Sequence, residues 1–302
     1  MSLSPITPHR LVAGVYARLP ESLHYQGEPT EWTRVTRPGQ RLVAFLEGAV
    51  LAKDGRLWLV DVPHGRIFSV GPQDDWRVEL EYDGEPHAVL RLDDGDLLVA
   101  DYGRGLLRFA PGSSAPVEFL RGANTERFRG LGEMARAPNG DIWISDPGRS
   151  SLTDPTGRIY RLPADGGRLE LILDNVPYPN GMAFSPDGRF AYLAVTRANA
   201  IWKFLTDFPD PLKPMVGLYI QLSGSLGPDG MAMRADGLLA TAHAQGGRAI
   251  LFDRMGDPVA VVTTPGGTWT TSVAFSADGR RLFIVDAQTS TVYAAPLEGL
   301  SA

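Results

Sequence analysis

An all-β fold, a six-bladed β-propeller with an N-terminal arm, is the architecture this sequence predicts, and three observations carry the prediction. The first is a recurring turn. Asp54-Gly55, Asp94-Gly95, Asn139-Gly140, Asp187-Gly188, Asp236-Gly237 and Asp278-Gly279 each follow a short apolar run. Asx-Gly in that setting marks a tight β-turn, because glycine accepts the positive φ the turn needs. The second is the period: consecutive turn glycines lie 40 to 49 residues apart, which suits a four-stranded blade. The third is the sequence between the turns, which consists of short β-rich runs broken by glycine, with almost no helical periodicity.

Taken in order, residues 1–40 form an arm outside the repeat. Leu11 to Leu19 reads as a strand, and Pro20 to Gly39, with its prolines, charges and Trp32, as an irregular covering over the fold or the rim of a pocket. Residues 41–302 are the propeller. Arg56 to Asp61 is answered by Arg66 to Val70, Asp96 to Asp101 by Leu106 to Phe109, and Asp141 to Asp146, after an insertion, by Gly157 to Leu162. Arg189 to Ala194 with Ala200 to Phe204, Leu238 to Ala242 with Arg248 to Phe252, and Arg281 to Asp286 with Thr291 to Ala295 complete six units. The last unit is short of an outer strand. The arm is expected to supply it, which closes the ring and hides the sheet edges.

Composition narrows the function. The 302-residue chain is 43% hydrophobic and 21% charged, ample for a core. A formal net charge of −6 without any Lys/Arg block argues against nucleic acid. There are no cysteines, so disulfides and thiolate metal sites are excluded. The first residues show no basic segment followed by an apolar one, and no apolar run approaches the ~18–20 residues of a membrane span. No membrane association and a cytoplasmic location are the expectations.

Eight residues before each turn glycine stand Glu47, His87, Gly132, Asn180, Asp229 and Thr271. In a propeller these positions are equivalent and lie near the start of the innermost strands, at one end of the axis. The next residue is small in five of six units (Gly48, Ala88, Gly181, Gly230, Ser272) and Glu133 in the third. Packing around an axis explains the small residues. It does not explain Glu, Asn and Asp at the ring. Converging carboxylate and amide oxygens repel unless protonated or bridged, and a hard divalent cation is one solution. A wet, idle polar channel is the other, and spacing alone supports both.

Three motifs add a resemblance. Phe45-Leu46-Glu47-Gly48, Pro179-Asn180-Gly181-Met182-Ala183-Phe184-Ser185-Pro186-Asp187-Gly188 and Gly227-Pro228-Asp229-Gly230-Met231-Ala232 resemble signatures of the gluconolactonase / senescence marker protein (regucalcin) family, itself similar to diisopropylfluorophosphatase. The resemblance spans roughly residues 41–295. It implies a six-bladed propeller with one axial divalent ion held by Glu47, Asn180 and Asp229. The ion would be Ca²⁺ first, with Zn²⁺, Mn²⁺ or Fe²⁺ as alternatives. It further implies hydrolysis of a small lactone or a related ester. Two departures stand out. Gly132-Glu133 replaces the family's Asn-Asp, so Glu133 takes the place of the acid implicated in activity. His87 stands where relatives have Asn-Gly, bringing an imidazole that can carry a proton or bind a borderline metal.

Glu133 and His87 are therefore the candidate catalytic residues, and Glu47, Asn180 and Asp229 the candidate metal ligands. Met182 and Met231 read as apolar walls for the substrate, and His243 as a residue of the pocket rim. No Gly-x-Ser-x-Gly elbow or phosphate-binding P-loop occurs. A metal-dependent lactonase is the leading expectation. A phosphotriesterase-like or non-hydrolytic biosynthetic enzyme on the same site is the alternative, and a non-enzymatic binding platform the alternative of another class.

Overall fold

Six sheets radiate from a common axis as a six-bladed β-propeller in the computed structural model, which describes residues 7–209 and 213–302. The innermost strands are Leu46–Leu51, Pro86–Arg91, Met134–Arg136, Pro179–Phe184, Gly227–Met233 and Thr270–Phe275. Each is followed outward by antiparallel neighbours joined through the turns the sequence marked. A two-stranded ribbon, Gly122–Ala123 with Glu126–Arg127, is inserted between the second and third blades.

The core is divided by the blades. Six apolar clusters occupy the six gaps between neighbouring sheets. The one joining the last blade to the first includes Leu46, Leu59, Phe68, Val285 and Val292, all fully buried. Burying one such side chain contributes ~1.5–3 kcal/mol, so each gap is a substantial adhesive interface.

The single strand expected over Leu11 to Leu19 is two strands. Gly14–Arg18 pairs antiparallel with Thr291–Pro296 and completes the last blade. His9–Val12 instead adds parallel to Pro258–Thr263 as a fifth strand of the blade before it. Ala13, 2% exposed, makes the crossing, and its N–H donates to the Thr263 carbonyl at 2.9 Å. The arm thus stitches two blades together. Its next part carries a short helix, Glu31–Thr36, capped by the Thr30 hydroxyl.

The inner strands begin irregularly. Pairing slips between Glu47 and Val50, Pro86 and Ala88, Pro179 and Met182, Pro228 and Met231, and Thr270 and Ser272. A bulge re-aims a side chain relative to the pleat, and these lie where the ring residues sit. The small residue that follows has a separate cause. A Cβ on Gly181 would lie 2.5 Å from the Asp229 carbonyl oxygen, and one on Gly230 would lie 2.9 Å from Ser272 Cα. Adjacent inner strands touch backbone to backbone there.

Candidate active site

Buried acids in the second strands fix where the ring begins. Asp61 accepts from the Phe45 N–H at 2.8 Å, Asp101 from the Glu85 N–H at 2.8 Å, and Asp146 from the Gly130 N–H at 2.9 Å. Each tethers the residue two before a ring position. Arg66 holds Asp61 in turn, and Arg158 holds Asp146.

On this scaffold Asn180 and Asp229 come together, with the Asn180 amide donating to Asp229 Oδ1 at 2.6 Å. The orientation of that amide follows from its other neighbour. The Thr196 hydroxyl gives its proton to the Pro228 carbonyl at 2.7 Å, so its oxygen is free to accept from Asn180 Nδ2 at 3.3 Å. With the nitrogen used twice, the amide oxygen is left for another partner. Glu47 is bound to His87, Oε2 to Nδ1 at 3.0 Å, and both are largely shielded. The His87 Nε2 is buried with no hydrogen-bond partner among the described residues. Thr271 turns away from ligand duty, since its hydroxyl donates to the Leu46 carbonyl at 2.7 Å.

The electrostatics are those of crowded acids. Burial, then Glu47 and Glu133, push Asp229 well above the carboxylate range, with only partial relief from the Asn180 amide. Burial, then Glu47, raises Glu133 to about 8. Burial alone would lower His87, but Glu47 beside it, with Glu85 and Asp101 beyond, outweighs burial and raises it. A divalent cation relieves this strain, and the donor set fits one: two carboxylates and an amide oxygen held free by its own hydrogen bonds. Among the described residues, no three His, Cys, Asp or Glu side chains form a metal cluster by themselves.

Glu133 is reached through a broken strand start. The Gly132 N–H donates to the Ser145 carbonyl, the Ser145 N–H to the Glu133 carbonyl, and regular pairing begins only at Met134. A Cβ at residue 132 would come within 3.0 Å of Ser145 Oγ and 3.2 Å of the Pro147 ring. Glycine therefore suits this tight bend. Glu133 lines an axial channel of about 1000 Å³ that runs from the ring toward the Asp-Gly turns at Asp236 and Asp278. Met182 and Met231 line the same channel. They wall the axis on the turn side of the ring.

His243 departs from its expected place at the rim. It is fully buried, its Nε2 against Asn199 Oδ1 at 3.2 Å and its Nδ1 accepting from Arg248. Burial and then Arg248 lower it to about 4. It stands six residues after its turn glycine, as Asp61, Asp101 and Asp146 do after theirs, and Arg248 follows it by five residues as Arg66 follows Asp61. His243 is the fifth blade's counterpart of those structural acids.

Sequence spacing missed the rim itself. Phe45, Glu85, Tyr178 and Trp269 each lie two residues before a ring position, a second in-phase series. The Tyr178 hydroxyl is pushed up by burial, then by the charges of Glu47 and Asp229. Arg37 from the arm stacks on Trp269, its Cζ 3.6 Å from the ring centre, and lies 5.0 Å from that of Phe45.

Comparison with known proteins agrees with the propeller fold. Residues 45–288 match the model of the SMP-30/Gluconolactonase/LRE-like region. Lactonase drp35 of Staphylococcus aureus (strain MRSA252) is 25% identical over 243 residues, covering 78% of this chain and 73% of its own. Among solved structures, a gluconolactonase from Xanthomonas campestris superposes with a TM-score of 0.73 at 21% identity, covering 97% of this chain and 99% of the other. A calcium-binding regucalcin from Agrobacterium tumefaciens gives 0.74 at 20% identity over 98% and 96%.

Proposed function

The chain belongs to the SMP-30/gluconolactonase/LRE-like family, and from that premise we propose that it is a divalent-metal-dependent hydrolase of small lactones, working at the axial ring. The observation that carries the reading is the assembly of Asn180 and Asp229 with the amide oxygen left free, within electrostatic reach of Glu47 and Glu133. Glu47, Asn180 and Asp229 would hold the ion. The chemistry such an ion supplies when bound is polarisation of the lactone carbonyl and acidification of a water near neutral pH.

The chain's own residues do the rest. His87 orients Glu47 through the Nδ1 contact and keeps its carboxylate turned to the axis. Glu133, raised to about 8 in the metal-free protein, can pass a proton to the departing ring oxygen and take one back from water. Met182 and Met231 supply apolar wall to the channel that Glu133 also lines. The lactonase names among its relatives support the substrate class.

The test is direct. Purified protein loaded in turn with Ca²⁺, Zn²⁺, Mn²⁺ and Fe²⁺ is assayed on a panel of lactones and phosphotriesters, with bound metal measured in the same samples. Turnover of lactones that tracks one equivalent of metal supports the reading. Turnover of phosphotriesters alone would redirect it, and a protein with neither metal nor turnover would be a binding platform.

A further inference from the structure

Arg37 is an anomaly among the shielded arginines. Arg66 and Arg158 are buried and committed to Asp61 and Asp146, and Arg56 and Arg234, both well shielded, pair with Asp75 and Asp236. Arg37 is also partly buried, and burial lowers its pKa, yet its guanidinium makes no hydrogen bond or ion pair among the described residues. Five N–H donors are left on a group held in place only by stacking. The platform is an aromatic shelf: Trp32 to Phe45 at 5.1 Å, Phe45 to Trp269 at 6.3 Å, with the guanidinium against Trp269 at 3.6 Å. The next charges it senses are Glu47 and Asp229, with the Tyr178 hydroxyl between them in influence. It stands over the mouth of the ring without closing on any acid there.

Two further guanidiniums stand near tyrosines of the ring region. Arg197 lies 5.5 Å from the Tyr178 ring centre, and Arg149 lies near enough to act on the Tyr102 hydroxyl. Neither guanidinium makes an ion pair among the described residues, and both are exposed. Two ligand carboxylates, Glu47 and Asp229, balance one divalent ion in charge; Glu85 is the acid of the rim series, and the guanidiniums of Arg37, Arg149 and Arg197 outnumber it. A planar, stacked guanidinium with its fork free suits bidentate capture of a carboxylate or phosphate.

We propose that the substrate is an anionic lactone, one that carries a carboxylate or phosphate beside the ring to be opened, and that Arg37 binds this anion through its free fork. The proposal rests on the lactonase reading above and names its substrate class. Arg37 is here a specificity residue that touches substrate away from the reacting carbonyl.

The kinetic test compares matched pairs: butyrolactone-γ-carboxylate against its carboxamide, and an aldonolactone phosphate against the free aldonolactone. The native protein is expected to favour one anionic member over its neutral partner in kcat/KM by ~10-fold or more. Arg37→Ala should collapse that ratio by about 10–100-fold, chiefly through KM, as loss of a charged hydrogen bond predicts. Arg37→Lys, which keeps charge and loses the fork, should fall between, and Arg37→Glu should invert the preference. Calorimetry with tetrahydrofuran-2-carboxylate and its carboxamide, which cannot be hydrolysed, gives an activity-free readout of the same ratio. Melting curves of the three variants establish that they fold.

If lactones are hydrolysed but anionic and neutral members are treated alike, or the ratio survives Arg37→Ala, this inference is overturned and the lactonase reading stands. If no lactone is turned over with any metal, the lactonase reading fails. The calorimetric preference then decides Arg37 alone: retained in native protein and lost in Arg37→Ala, it supports anion capture, and absent, it overturns it. A preference confined to the carboxylate or to the phosphate pair identifies which anion is meant.

Discussion

The fourth and fifth blades present Asn180 and Asp229 from inner strands of six and seven residues, whereas the third presents Glu133 from just before a strand of three. In the first pair, backbones abut at Gly181 and Gly230, and the two side chains are locked together at 2.6 Å. In the third blade the chain bends at Gly132, and the Glu133 carboxyl is held by the Met134 N–H alone, with no side-chain partner among the described residues. One region is rigid and its donors are already oriented. The other leaves a carboxyl with a raised pKa and no side-chain tether. The contrast suggests a division of labour: ligands come from where blades touch, proton traffic from where they part.

Removing a rigid donor should have the largest effect. Asp229→Ala takes away one of two carboxylates and the shorter of the two contacts that orient the Asn180 amide. Loss of groups that only orient ligands already costs ~10–100-fold, so loss of a ligand should drive turnover toward background. Metal analysis and kcat/KM on the same sample check it, and a full equivalent of metal in the variant would undo the assignment.

Glu133→Gln probes the loose region. It keeps shape and removes the titrating group, so turnover should drop by ~10²–10⁴ while metal occupancy holds. If metal and activity fall together, Glu133 belongs with the rigid donors and the division collapses.

Much of this contrast was legible in the sequence, and the reasons differ by residue. The ring positions could be read because six turn glycines set a common origin, and Glu133 because it broke the small-residue series at its place. His243 was misplaced although the same origin would have placed it, six residues after Gly237 in register with Asp61. The change from acid to imidazole hid the shared structural role. The splitting of the arm at Ala13 left no mark, because an apolar run reads the same whether it joins one blade or two. Arg37 was invisible for a related reason: it lies outside the repeat, so no spacing ties it to the axis.

The next prediction concerns pH. Glu133 is raised from 4.5 to about 8 in the folded protein, and burial followed by Glu47 is the cause. The folded state therefore holds a proton that the unfolded state has released, so metal-free protein should be most stable below about pH 4.5 as far as this group is concerned. Stability should then decline as pH rises toward about 8, by on the order of 4–5 kcal/mol for a shift of that size, with Asp229 acting in the same direction. Chemical denaturation across that range checks it. Adding the divalent ion should flatten the decline, because binding to the native state alone stabilises it and favours the ionised acids. A metal-free curve without slope would mean the acids are relieved in some other way.

The smallest effect separates the two regions by packing alone. Neither Gly132 nor Gly181 has a positive φ, so alanine at either tests space and not backbone preference. At residue 181 the new Cβ meets the Asp229 carbonyl oxygen at 2.5 Å and Gly230 Cα at 2.8 Å, both main chain of the next blade. Neither can yield without moving the inner strand that carries Asp229. At residue 132 the contacts are Ser145 Oγ at 3.0 Å and the Pro147 ring at 3.2 Å, side-chain atoms that can shift by a few tenths of an ångström. Overpacking costs ~1–3 kcal/mol where neighbours cannot give, so Gly181→Ala should be less stable than Gly132→Ala by about 1–2 kcal/mol. Gly181→Ala should also weaken metal binding, since the shift falls on Asp229, whereas Gly132→Ala should leave it close to native. Denaturation midpoints and metal titrations of the two variants measure both differences. Equal losses at the two glycines would show that the third blade is as tightly seated as the others, and that the freedom assigned to Glu133 has another source.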